Sequence, residues 1–276
     1  MSNKIHSLAG GNIARIVAVG LFAFLGVWWA VLYFRFQSQL LSQNLIWAAS
    51  YQSLAIFGAI VGLYISKKWG GFNSVIGRAI LFFALGLIAQ VFGQTIFSYY
   101  NLILKVEIPY PSLADVGYFG SIPLYIYGVI LLGRSSGVKV SLKSFGNKIQ
   151  AVLIPAVILC ASYWAFLSGY EFDWTDPLRI FLDFGYPLGQ AVYVSLALLV
   201  FLLSHGVLGG MMKPKIFGIL IALFIQYVAD YNFLYQAMHQ TWTNGGYGDF
   251  IYLGAYFAMT LGLISLGSVW NKIKES

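Results

Sequence analysis

The sequence predicts an all-α, polytopic membrane protein: about eight transmembrane helices in two four-helix parallel repeats. Three observations carry this. Hydrophobic residues make up 59% of the 276 and charged residues 9%, with a mean hydropathy of +0.78; soluble domains are roughly a quarter charged. The apolar residues fall in runs of about twenty, the length that crosses a bilayer core. One stretch, Tyr110-Pro111-Ser112-Leu113-Ala114-Asp115-Val116-Gly117-Tyr118, returns in reduced form as Gly248-Asp249-Phe250-Ile251-Tyr252, and an apolar run follows each copy.

In chain order, span one covers about Ile13–Phe34; its length and the lack of a small-residue cleavage site mark a retained helix, not a signal peptide. Span two, about Leu45–Ser66, is stopped by Lys67-Lys68 and Gly70-Gly71. Span three, about Val75–Tyr100, carries Gln90 and Gln94. Span four, about Leu113–Gly133, starts where Pro111 disfavours helix before it and Ser112 with Asp115 forms a capping box. The polar, basic, glycine-containing segment Arg134–Lys148 is the natural linker, so the halves are 1–138 and 139–276. Span five is about Ile149–Leu167, span six about Leu178–Ser204 with Asp183 and the Tyr186-Pro187 pair. Span seven, about Ile216–Met238, holds Gln226, Asp230 and Asn232. Asn244-Gly245-Gly246 leads to span eight, about Phe250–Val269.

Overlaying the halves at an offset of about 134 to 136 residues places Gln90 on Gln226, Gln94 on Asp230, Tyr99 on Tyr235, Asp115 on Asp249 and Tyr118 on Tyr252. Four spans per half give both copies one orientation, as in repeats about an axis along the membrane normal. Of the 16 lysines and arginines, only Arg35, Lys105 and Arg179 fall on one side, so both termini are expected in the cytoplasm of a cell whose inner membrane holds the protein. The net charge of +7 then reads as orientation signals and anionic-lipid contacts, with no nucleic acid implied. Every acid but Glu275 falls in or toward the outer half.

Acids within spans are costly in hydrocarbon and seek a cavity or a partner. Asp183, Tyr186 and Gln190 share one face of span six, and Gln226, Asp230 and Phe233 one face of span seven. With Gln90, Gln94, Tyr99 and Tyr231, and with Tyr227, Tyr235, Trp164 and Trp174 at the same depth, they outline an outward-opening polar and aromatic pocket between spans three, six and seven. Its ligand would be small and partly apolar, with an amine or hydroxyl. The alternative is interhelical hydrogen-bond glue with a tyrosine belt. Asp115 and Asp249 read as helix caps, and Cys160 as a small buried hydrophobe.

No lysine inside the bundle suits a retinal Schiff base, no His-Glu-x-x-His motif is present, and Ser98 lacks a nucleophile context, so no catalytic or metal-ligating residue is indicated, an enzyme is left without a supporting motif, and the cofactor is unknown. The run Pro111-Ser112-Leu113-Ala114-Asp115-Val116-Gly117-Tyr118 resembles the Pro-Ser-x-Ala-Asp-x-x-Tyr signature of multi-pass N-terminal membrane sensor regions of bacterial and archaeal signalling proteins. Asp230-Tyr231, Asp249 and Tyr252 are similar to the second half of such regions. These regions precede diguanylate cyclase, phosphodiesterase or histidine kinase domains, whereas here no output domain follows before Ser276. The resemblance implies a membrane-embedded sensory or ligand-binding module, either an excised sensor region or a relative signalling to another chain on the cytoplasmic side. A homodimer stays open. The rival expectation is a small-solute, proton-coupled or lipid transporter, suggested by the repeat and by Pro123, Pro155 and Pro187.

Overall fold

The computed structural model describes residues 2–36, 41–106, 108–138, 143–204 and 211–273. Glu107, Lys139, His205, Gly209, Gly210, Lys274 and Glu275 lie outside them, so the boundary set at 138/139 borders undescribed chain. Among the described residues all regular structure is helical, and eight helices are long and apolar enough to cross a membrane: Gly11–Arg35, Leu41–Lys68, Val75–Leu104, Leu113–Ser135, Phe145–Ala165, Pro177–Leu203, Lys213–Ala237 and Tyr247–Trp270, here spans one to eight.

The helix starts follow the local chemistry. At span four the Ser112 side chain accepts from the Ala114 N–H at 3.2 Å, and the Ser112 N–H donates to Asp115 Oδ2 at 2.7 Å, completing the capping box. Ser74 caps span three by accepting from the Gly77 N–H at 3.2 Å. Asp176 caps span six by accepting from the Arg179 N–H at 3.1 Å, with Pro177 in the first turn. Span two breaks at Tyr51 into helices Leu41–Ser50 and Gln52–Lys68, yet Tyr51 N–H still donates to the Trp47 carbonyl at 3.1 Å. Span three ends in a π-helical stretch, Tyr99–Leu104, closed by Lys105 at φ 56°.

Spans two, three, four, six, seven and eight form a closed ring: each packs on the next, and span eight returns to span two. Span one rests on span eight and span five on span six. The ring interior holds Tyr51, Tyr125, Tyr193 and Tyr256, each at most 1% exposed. Span five is peripheral: only 6% of its apolar window is buried, against 61% for spans six and eight. Cys160, expected to be buried, is therefore exposed on this outlying helix.

Spans three and four approach closely because Gly93 and Gly117 meet there. A Cβ on Gly117 would lie 2.5 Å from the Ala89 carbonyl oxygen and 2.5 Å from the Gly93 nitrogen, both backbone atoms that cannot swing aside. Small residues that admit such contact are the usual means of joining membrane helices. Gly117→Val should therefore destabilise the fold by about 1–3 kcal/mol, the range for overpacking, whereas Gly120→Ala, which meets nothing within 4 Å, should not. Equilibrium unfolding in mixed micelles measures both, and equal effects would refute the close-approach account.

Candidate functional site

The polar side chains gather at the end of the bundle that carries Asp115, Asp176 and Asp249. Span seven presents Asp230 to the ring interior. Its Oδ2 accepts from Gln226 Nε2 at 3.0 Å, one helical turn away on the same face, and from Gln190 Nε2 of span six at 2.7 Å. Its Oδ1 accepts from the Tyr252 hydroxyl of span eight at 2.6 Å. Three spans thus meet at one carboxylate.

A second cluster lies across the ring. Gln94 of span three accepts through Oε1 from the Tyr118 hydroxyl at 2.7 Å and from the Tyr51 hydroxyl at 3.1 Å, and its Nε2 donates to the Ala48 carbonyl at 2.9 Å. The Tyr51 hydroxyl also lies 3.1 Å from Asp249 Oδ1, while Asp249 Oδ2 accepts from the Gly245 N–H at 2.7 Å. Asp115 is held in the same way, by its own cap on one oxygen and by the Tyr186 hydroxyl of span six at 2.7 Å on the other. Both aspartates sit in a first helical turn, where the helix dipole favours negative charge. Deeper in the ring, Gln90 donates to Ser121 Oγ at 2.8 Å and accepts from Tyr256 at 3.3 Å.

Asp183 forms a third, separate cluster. The hydroxyls of Tyr110 and Tyr170 donate to its two oxygens at 2.8 and 2.7 Å, and Arg179 Nε lies 3.8 Å away. The carboxylate ties the loop before span four to the loop before span six. Desolvation, and then the bond to Asp183, raise both tyrosine hydroxyls above their ordinary value, that of Tyr170 to about 12.

The predicted single pocket between spans three, six and seven is thus corrected. Gln190, Gln226 and Asp230 do converge. Gln90 and Gln94 instead bond spans two, four and eight; Asp183 faces the Tyr110 and Tyr170 loops; and Tyr186 bonds Asp115. Tyr99 is 49% exposed in the π-helical stretch and lines none of these clusters. Tyr231 stands edge-on to Tyr227 with ring centroids 6.2 Å apart, and Tyr227 in turn shares a 2.8 Å hydrogen bond with Ser162 of span five. Trp164, Trp174 and Tyr235 point outward, at 77%, 75% and 55% exposure. Sequence reasoning missed Tyr51, Ser121 and Tyr256 as participants. It read Asp115 and Asp249 as caps, which they are, without their tyrosine partners. The recurrence of Tyr118 as Tyr252 was the available signal for the partner that Gln94 and Asp230 each use.

Among the described residues no three His, Cys, Asp or Glu side chains gather into a metal-binding group. Carboxylates framed by amide and phenol groups suit recognition of a cation, an amine or a hydroxyl. Compared with family profiles, characterised proteins and solved structures, the chain matches none. What the fold and site define is a polytopic helical membrane protein with a hydrogen-bonded acidic core.

Two outcomes follow. Tyr252→Phe, which removes a donor to a carboxylate, should cost about 1.5–3 kcal/mol, and Tyr118→Phe, which removes a donor to an amide, about 0.5–1.5 kcal/mol; unfolding midpoints that shift equally would contradict the ionic character of the Asp230 bond. For the loop clamp, a raised folded-state value means that the neutral Tyr170 hydroxyl contributes fully below about pH 10, the ordinary tyrosine range. That contribution is lost as pH rises through about 12. Ultraviolet titration, read as wild type minus Tyr170→Phe, should show this late ionisation return toward 10 in Asp183→Asn.

Proposed function

We propose that the protein is a membrane-embedded sensory or ligand-binding module that passes a signal to a partner or output domain on the cytoplasmic side. The observation that carries this reading is the hydrogen-bonded ring itself. Asp115, Asp230 and Asp249 each bond a tyrosine from a different span, so a ligand that competes for one carboxylate releases a helix from its neighbour. Bundles with two discrete arrangements convert such local competition into movement at a distant end. The signature stretch Pro111–Tyr118 fits this role, since it supplies both the capped start of span four and the Asp115–Tyr186 bond.

In this reading the two halves are parallel repeats. The pair Tyr118–Gln94 corresponds to Tyr252–Asp230, and Tyr51–Asp249 to Tyr186–Asp115, at the offset read from the sequence. The protein resides in the cytoplasmic membrane with both termini inside, supported by the lysine and arginine distribution. A transporter is the second reading, favoured by the same correspondence between halves, because repeats of this kind build alternating-access carriers.

Two measurements test this. With Cys160 replaced by Ser, cysteines at Phe72 and Trp174 should label from opposite sides of sealed vesicles, and labelling from one side would overturn the topology. Spin labels at the inner ends of spans six and eight should change separation in Asp183→Asn or Asp115→Asn. An unchanged distance distribution, together with solute or proton flux above protein-free liposomes, would replace the sensor with the transporter.

A further inference from the structure

The acidic core has a charge problem that the hydrogen bonds do not solve. Among the described residues the one carboxylate paired with a cation is Asp183, through Arg179. No described lysine, arginine or histidine lies within ion-pairing distance of Asp115, Asp230 or Asp249. Two of these three are compensated by position, since Asp115 and Asp249 stand in the first turns of their helices and accept backbone N–H groups there. Asp230 has neither advantage. It lies in the last third of helix Lys213–Met238, far from the N-terminal turn whose dipole and free N–H groups stabilise a negative charge.

The other half of the molecule shows that a charge is not required at this place. Gln94, the counterpart of Asp230, accepts from Tyr118 as Asp230 accepts from Tyr252, and it holds its cluster together as a neutral amide. A carboxylate that structure does not demand, in hydrocarbon and without a counter-ion, marks a functional position. A second observation lies one turn away. Tyr193, on the same face of span six as Gln190, is 1% exposed, and its hydroxyl has no hydrogen-bond partner among the described residues. Helical side chains lean toward the N-terminus of their helix, which turns this hydroxyl toward the turn that carries Gln190, the partner of Asp230. Gln190 and Gln226 spend their N–H groups on Asp230, which leaves two amide oxygens beside it. Unlike those two buried amides, Asp230 keeps part of its surface accessible.

We propose that Asp230 is the seat of a small monovalent cation, held by its carboxylate and by neutral oxygens of Gln190, Gln226 and Tyr193. One negative charge among neutral oxygens suits a singly charged hard ion, which takes oxygen ligands; a divalent ion would want further carboxylates. The remaining partner of the Asp230 carboxylate is the phenol of Tyr252, and among the described residues no lysine, arginine or histidine pairs with it, so no fixed positive charge competes. The assignment deepens the binding-module reading and rests on it only for the use of the cation as a signal.

Thermal unfolding of the purified full chain in sodium, potassium or choline chloride at equal ionic strength tests the site. Sodium or potassium should raise the midpoint saturably over choline, by roughly 5 °C at about a hundredfold excess over the dissociation constant. Asp230→Gln, which installs the residue found in the other half, should fold and erase that difference. Tyr193→Phe should raise the half-saturating concentration about fivefold, as for one lost oxygen ligand. A wild-type midpoint identical in all three salts, a difference that survives Asp230→Gln, or an unaltered response in Tyr193→Phe each overturns the site. Cation stabilisation without movement of the spin-labelled inner ends overturns the sensor reading alone; movement without cation preference overturns the cation site alone.

Discussion

The tyrosine hydroxyl bonded to a carboxylate or amide on a neighbouring helix is the interaction on which this bundle depends. In hydrocarbon no water satisfies a side-chain polar group, so each must find its partner inside the protein. A phenol suits this task because its ring packs as an apolar body while its hydroxyl reaches across the helix gap. Tyr51, Tyr118, Tyr186 and Tyr252 do this between ring neighbours, Tyr256 reaches across the ring to Gln90, and the contact of spans six and seven is made by Gln190 and Asp230. The small residues serve the same end. A Cβ on Gly93 would fall 2.7 Å from the Tyr118 ring, so this glycine is what lets Tyr118 lie flat on span three and place its hydroxyl at Gln94.

The acids divide by how their charge is accommodated. Asp115 and Asp249 use helix ends and backbone donors, Asp183 uses Arg179 and two phenols at the loop boundary, and Asp230 uses only neutral donors inside span seven. The same residue type therefore caps a helix at one position and sets up an electrostatic demand at another. Location on the helix decides which, because the free N–H groups and dipole that stabilise a negative charge act only in the first turn.

Much of the fold was legible in the sequence because membrane helices are specified by composition over a long window and by strong end signals. Span four begins at the Ser112–Asp115 capping box as the sequence indicates, and the ends of the other spans move by only a few residues. What the sequence did not disclose was which helices face one another. The shared faces of Asp183, Tyr186 and Gln190, and of Gln226 and Asp230, follow from helical periodicity, but periodicity is silent about the neighbour across the gap. Gln94 thus turned toward spans two and four instead of span seven, and Tyr99 and Trp164, at the right depth, faced away from the ring. Cys160 was misplaced for a related reason. In a lipid-facing helix an exposed apolar residue costs nothing, so hydrophobicity does not imply burial there.

Spans one and five, the two helices outside the ring, are held by different contacts. Span one is fastened by two indole donors: Trp29 Nε1 to the Gly245 carbonyl at 3.1 Å, with its ring stacked on Phe250 at 4.2 Å, and Trp47 Nε1 to the Leu25 carbonyl at 2.9 Å. At an offset of about 135 residues in the sequence, Trp164 stands at the place of Trp29 and Leu182 at that of Trp47, while in the first half Val116 falls near the place of Phe250. Leucine has no N–H to donate and valine offers no ring to stack on. Span five accordingly lies against span six, is tied to span seven by Ser162 and Tyr227, and carries its tryptophan facing outward. Between helices that are both apolar, burial gives little preference for one contact over another, so a few directional bonds are enough to decide which ring helix an outlying span rests against.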